Sequence, residues 1–231
     1  MLILAFETSA KAASVALHDG TKLLGEIYQN TGLTHSQTLM VMAEDLLKQC
    51  GYAVTDVTHV AVAAGPGSFT GVRIGVAAAK GFAWGAQLPL YGVSTLEAMC
   101  QQVMLDGFVV CGCMDARRNQ VYNGIFEATG SGVRRLAEDR AVSLEELKED
   151  LQKLNAPVIL VGDGAQLVYD RLDLDRLILP PEQSRQQRAS GVAAVAAGQI
   201  AAGLPANAEA LQPNYLRLSQ AEREKLERAQ K

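Results

Sequence analysis

Hydrophobic and polar positions follow two different periods along this chain, and the switches between them mark its elements. Leu2 to Phe6 is a short apolar run, and Ala12 to His18 with Thr21 to Gln29 predicts a hairpin across Asp19-Gly20, a dipeptide that tolerates positive φ. From Leu39 the period changes. Leu39, Met42, Ala43, Leu46 and Cys50 recur at helical spacing, with Thr34-x-x-Gln37 as a capping box and Gly51 as the stop. His59 to Ala63 lacks polar alternation, which marks a strand buried on both faces, and it feeds a helix over Thr70 to Gly85. Leu88 to Tyr91 predicts the next strand, and Ser94-x-x-Glu97 opens a helix running to Val103.

The rest of the chain repeats this layout. Phe108 to Met114 is a strand, Asp115 to Asn119 a polar turn, and Val121 to Ala128 a strand whose return is Val133 to Ala137. Ser143-x-x-Glu146 caps a helix, and Val158 to Val161 runs into Gly162-Asp163-Gly164 as His59 to Ala63 runs into Gly65-Pro66-Gly67. Two copies of one β-β-β-α-β-α unit are the simplest reading, and they predict an α/β protein with lobes over 1–106 and 107–218. An Ala-rich helix from Ser190 to Ala202 belongs to the second lobe on this reading, and 219–231 is expected to be a frayed or disordered charged tail.

Composition agrees with an ordinary globular protein. The 231 residues are 48% hydrophobic and 20% charged with a formal net charge of −4, so cores can form and no basic bias attracts nucleic acid. Met1 to Phe6 is stopped by Glu7 and reads as a strand, not a signal peptide, and Gly191 to Leu204 falls short of the roughly 20 apolar residues that span a bilayer. A soluble cytoplasmic protein is expected. Cys50, Cys100, Cys111 and Cys113 include no Cys-x-x-Cys pair and read as reduced thiols, with Cys111 and Cys113 on one face of a strand.

Gly-Pro-Gly-Ser-Phe-Thr-Gly, Gly65 to Gly71, invites comparison with phosphate loops, but no glycine continues into the Gly-Lys-Ser/Thr of a Walker A sequence. Nor does it fit the dinucleotide fingerprint, because Gly65, Gly67 and Gly71 are spaced one residue too widely and no Asp or Glu lies between Asp56 and Glu97. The following helix carries Gly71, Gly75, Gly81 and Gly85, each costing about 1 kcal/mol against Ala in a helix interior. Glycines four apart let another backbone approach closely, and Ala77, Ala78 and Ala79 widen that surface. One face of this helix is therefore expected on its own sheet and another on a partner.

ILAFETS with ASVAL, THSQTLM before the first helix, and AGPGSFTGVRIG together resemble the TsaB family. The likeness is carried by about the first hundred residues; the second half, including Asn214-Tyr215-Leu216-Arg217, agrees in layout. The resemblance implies a duplicated fold of the actin-like ATPase and sugar-kinase superfamily, related to ribonuclease H. It also implies a non-catalytic subunit that supports threonylcarbamoylation of adenosine in tRNA. Its partners would be a TsaD-type catalytic subunit and a TsaE-type ATPase, with tRNA met only through the complex and a homodimer formed when the chain is alone. The pairing surface would use the two helices of the first lobe, and Met40, Met42, Leu46, Leu47, Gly71, Gly75 and Ala78 are the residues expected on it.

Catalytic and metal sites are not expected. The His-x-x-x-His pair that holds metal in TsaD corresponds here to His35 and Leu39, and His18, His35 and His59 are isolated from one another. Glu7 and Asp115 occupy equivalent repeat positions where kinases keep acids, yet the first loop lacks glycine. No cofactor is assigned, with weak or interfacial ATP or ADP left open. The alternative class is a nucleotide-binding ATPase or kinase-like enzyme; a third, direct tRNA binding, would need a patch around Arg117, Arg118, Arg134 and Arg135.

Overall fold

The computed structural model describes residues 1–206 and 208–217, so the charged tail expected over 219–231 lies outside the described residues. The first repeat is β1 (Ile3–Glu7), β2 (Ala13–His18), β3 (Leu23–Gln29), α1 (His35–Cys50), β4 (His59–Gly65), α2 (Phe69–Ala86), β5 (Leu90–Ser94) and α3 (Thr95–Cys100). The second follows the same order: β6 (Val109–Asp115), β7 (Gln120–Thr129), β8 (Gly132–Ser143), α4 (Leu144–Gln152), β9 (Val158–Val161), α5 (Ala165–Leu172), β10 (Leu177–Ile178) and α6 (Ala189–Ala201). The sheets have matching orders, β3-β2-β1-β4-β5 and β8-β7-β6-β9-β10. In each the first three strands form an antiparallel meander, and the fourth joins the first in parallel.

Local chemistry sets the element ends. Ser143 and Glu146 form the expected capping box on α4, and Ser94 caps α3 through its hydroxyl. Thr34 stands at the N-cap of α1 but makes no side-chain bond; Gln37 N instead donates to the Thr34 carbonyl at 2.9 Å. Gly51 ends α1 in the left-handed region at φ 76°.

Packing exchanges the last helix of each repeat. One face of the first sheet is covered by α1 and α2 through Leu39, Leu46, Val72, Val76 and Ala79. Its other face, Ile3, Ala5, Ala61 and Ala63, is covered by α6 from the second repeat through Val192, Ala193 and Ala196. Conversely, Leu96, Met99 and Cys100 of α3 lie on Val110, Met114 and Phe126 of the second sheet. The Ala-rich helix assigned to 107–218 thus belongs spatially to the first lobe. Ser14 Oγ accepts from Ala189 N at 2.8 Å and Glu26 Oε1 from Ser190 N at 3.0 Å, so strands of the first sheet satisfy the N-terminal donors of α6.

After α6 the chain returns as a strap. Leu211 is buried in the first core, Asn214 N donates to Ala64 O at 2.6 Å, and Arg217 reaches the second repeat at Ala116 O, 2.7 Å away.

Candidate functional site

The loop after β1 packs on the glycine motif. Thr8 Oγ1 donates to Gly71 O at 2.8 Å and Ser68 N donates to Ser9 O at 2.7 Å, while Ser68 Oγ caps α2 by accepting from Gly71 N at 3.2 Å. A Cβ on Gly71 would lie 2.1 Å from the Thr8 carbonyl oxygen, one on Gly75 2.3 Å from Thr8 Oγ1, and one on Gly67 2.6 Å from Ser9 O. On Gly65 it would meet Asn214 O of the strap at 2.6 Å. The motif therefore receives its own chain: Thr8, Ser9 and Asn214 fill the space above its glycines.

The residues expected on the partner surface divide between core and surface. Gly71 and Gly75 face inward, and Met42, Leu46 and Leu47 are buried in the first core, where the α1 stripe meets the sheet. Of these five, Met42 alone reaches a surface groove, beside Tyr28 and Val41. Ala78 is half-buried against the same core, and Met40 is exposed. The outward side of the two helices carries residues that the expectation left out: Val41 is 56% and Trp84 87% exposed, and nothing lies within 4 Å of a Cβ on Gly81 or Gly85. Helical phase separates the two glycine pairs, since Gly71 and Gly81 are ten residues apart and 100° per residue turns the second pair well away from the first. An open groove of about 530 Å³ beside Trp84 is lined by Lys80, Leu88 and Glu209.

Between the lobes, Glu7 and Asp115 end the equivalent strands β1 and β6, but their surroundings differ. Glu7 is buried with Oε1 accepting from Ser9 N at 2.5 Å, and burial, reinforced by Asp163, raises its pKa from 4.5 to about 7. The Asp115 side chain is 33% exposed, holds Arg117 N at 2.7 Å and faces the Arg117 guanidinium at 3.4 Å. Arg117, Arg118 and Asn119 turn the chain in the left-handed region at φ 66°, 57° and 56°. Asp163 follows β9 and is exposed, yet desolvation by the surrounding chain raises its carboxyl above the usual range while Gln187 Nε2 donates to Oδ1 at 2.9 Å.

The histidines are separate, as the sequence indicated. His18 Nδ1 accepts from Gly20 N at 2.9 Å, His35 Nε2 meets Ala10 O at 2.9 Å and His59 Nδ1 meets Thr58 Oγ1 at 2.8 Å. Among the described residues no three His, Cys, Asp or Glu side chains form a group that could hold a metal ion. Arg134 is matched by Glu127, and Arg135 by Glu97 at 2.8 Å and Asp139 at 2.5 Å, so these two arginines of the supposed basic patch are neutralised. Cys111 and Cys113 do share a face, with Sγ atoms 3.5 Å apart, but Cys113 is raised well above the ordinary thiol range by the hydrogen bond with Cys111 and by burial.

The family model described as TsaD, tRNA N6-adenosine threonylcarbamoyltransferase, matches residues 29–225. The tRNA threonylcarbamoyladenosine biosynthesis protein TsaB of Escherichia coli strain K12 is 35% identical over 221 residues, covering 94% of this chain and 95% of its own. The chain belongs to the TsaB family. The TsaB protein of Bacillus subtilis is 32% identical over 226 residues, covering 96% of each. A crystal structure of a Pseudomonas aeruginosa protein described as similar to the peptidase YeaZ superposes with a TM-score of 0.82 at 28% identity, covering 94% of this chain and 99% of that one. The ADPNP-bound activator of 2-hydroxyisocaproyl-CoA dehydratase from Clostridium difficile gives a TM-score of 0.51 at 11% identity, a likeness of fold alone. The chain thus has the duplicated actin-like ATPase fold. No helix among its described residues is long and apolar enough to cross a membrane.

Proposed function

We infer that this chain acts in the biosynthesis of N6-threonylcarbamoyladenosine in tRNA, as the names of its relatives state for them, and that it does so as a non-catalytic cytoplasmic subunit. It binds and activates a TsaD-type catalytic subunit, with a TsaE-type ATPase joining the pair, and tRNA is met through the complex.

The observation that carries this reading is the outward side of α1 and α2. Trp84 at 87% and Val41 at 56% exposure, with Met40 and the open glycines Gly81 and Gly85, offer apolar atoms and a flat backbone to a partner helix. Exposed apolar surface of this kind favours self-pairing when the partner is absent, so the isolated chain forms a homodimer through the same helices.

The cleft supports a role other than nucleotide turnover. A triphosphate needs free backbone N–H groups and positive charge, whereas Gly65 and Gly67 are covered by Asn214 and Ser9, and Glu7 and Asp163 are acids. Calorimetric titration with ATP and magnesium, against magnesium alone, tests this part.

The central test is reconstitution of the tRNA modification from purified subunits with and without this chain. Modification that requires the chain, and falls when Ala77→Arg is introduced into a folded variant, supports the reading. An equal rate without the chain sinks it.

A further inference from the structure

Arg134, Arg135, Arg140 and Arg188 each meet a carboxylate. Arg73 and Arg217 meet none among the described residues, and the strap draws them to one place instead. Arg73 Nε donates to Tyr215 Oη at 2.7 Å, and its guanidinium lies 3.7 Å from the centre of the Phe69 ring, which in turn stacks on Tyr215 at 4.8 Å. Arg217 follows Tyr215 by two residues, which holds their Cα atoms within about 7.6 Å. Its Nη1 donates to Ala116 O at 2.7 Å, and the next residue, Arg117, has a side chain 85% exposed. One band of rings and guanidinium groups thus runs from α2 of the first repeat, along the strap, to the β6–β7 turn of the second.

That turn is held in a costly shape. Arg117, Arg118 and Asn119 all lie in the left-handed region, which residues other than glycine, Asn and Asp seldom adopt. Asp115 faces the Arg117 guanidinium at 3.4 Å and offsets part of its charge. Arg73 is exposed and keeps its terminal N–H donors beyond the one bond that Nε makes.

Cations alone would suit any acid, but here they interleave with aromatic rings. An unpaired nucleic-acid base stacks on such rings and on arginine planes while its flanking phosphates take guanidinium N–H groups. Tyr215, 40% exposed, is the outer ring of the stack. An acidic peptide would match the charge and leave the rings unused. With a formal net charge of −4 the whole chain attracts RNA poorly, so such a contact is local and works inside an assembly. Arg73 stands four residues before Ala77, one turn along α2, so the band adjoins the outward side of that helix.

We propose that Phe69, Arg73, Tyr215, Arg217 and Arg117 form a surface for an unpaired stretch of RNA, with a base stacked on Tyr215 and phosphates held by the three arginines. The proposal rests on the reading that the chain works in tRNA modification, and adds that this subunit touches the tRNA itself.

The test uses the complex reconstituted from this chain with the catalytic and ATPase subunits, and a tRNA transcript labelled at its 3′ end. Fluorescence anisotropy at rising potassium chloride gives the affinity and its salt dependence. Arg73→Gln, Arg117→Gln and Arg217→Gln each lower the slope of log affinity against log salt by about 0.7, the share of one single-strand phosphate. Tyr215→Ala weakens binding about fivefold or more and leaves the slope as it was. Arg171→Gln, at an exposed position of α5, changes neither. If Arg217→Gln or Tyr215→Ala loosens the strap, the exposed Arg73 and Arg117 variants carry the comparison. Modification that needs the chain, with native affinity and slope in the folded variants, overturns the RNA surface and leaves the subunit reading standing. Modification that proceeds equally without the chain overturns both. Variants that weaken assembly of the subunits, yet leave the tRNA affinity of the assembled complex unchanged, assign the band to an acidic protein surface and also overturn the proposal.

Discussion

Gly71 lies against Thr8 so closely that their backbones exclude any side chain between them: Thr8 Oγ1 donates to Gly71 O at 2.8 Å, and a Cβ on Gly71 would come within 2.1 Å of Thr8 O. Two of the segments that carry the family likeness, ILAFETS and AGPGSFTGVRIG, therefore pack directly on each other. Replacing Gly71 by Ala must push the β1 loop off α2 and costs about 3 kcal/mol or more. Gly81→Ala, where nothing lies within 4 Å, instead stabilises by about 1 kcal/mol through helix propensity. Urea denaturation of the two variants reads the opposite signs. If Gly81 also receives a partner helix, its stabilised variant associates less well.

Partner binding is read on the outward surface. Trp84→Ala and Ala77→Arg remove or block exposed features, so each leaves folding stability within about 0.5 kcal/mol. Each weakens association with the catalytic subunit by about tenfold or more and shifts the isolated chain toward monomer, as measured by sedimentation equilibrium. Unaltered association in both variants places the interface elsewhere.

Glu7 makes stability depend on pH. Its folded pKa is raised by burial from 4.5 to about 7, so the native state holds the proton more tightly than the unfolded state. Its stabilising contribution is complete below pH 4.5 and is lost as pH rises to about 7, a change of roughly 3 kcal/mol. Asp163, exposed but also raised by desolvation, acts in the same sense. Urea midpoints from pH 5 to 8 fall for the native chain, and Glu7→Gln flattens the upper part of that slope. An equal slope in the variant would assign the effect to another group.

The strap separates burial from surface stacking. Leu211, 5% exposed in the first core, loses about 3 kcal/mol on truncation to Ala. Tyr215, 40% exposed, stacks on Phe69 with ring centroids 4.8 Å apart and accepts from Arg73 Nε at 2.7 Å; its truncation costs about 1 kcal/mol. Thermal unfolding ranks the two. The reverse order would mean that the strap is held by its edge contacts and not by the core.

Helical and strand periods in the sequence determined the repeated unit, the start and stop of most elements, and the glycine motif as a place of close backbone approach. Those features are local: the spacing of Leu39, Met42 and Leu46 sets an apolar stripe, and Ser143 with Glu146 caps a helix whatever surrounds it. Only the tertiary structure decided what each surface meets. An apolar stripe does not name the sheet that covers it, so Met42, Leu46 and Leu47 read equally well as core or interface until α1 was seen on the first sheet. The exchange of α3 and α6 between repeats was hidden for the same reason, because Val192 and Ala196 are as apolar on one sheet as on the other. Gly71 and Gly81 look alike in the chain, yet helical phase turns one onto Thr8 and leaves the other open. The strap after α6 was hidden likewise, because nothing local in the sequence tells that Asn214 N reaches Ala64 O of the first repeat and Arg217 reaches Ala116 O of the second.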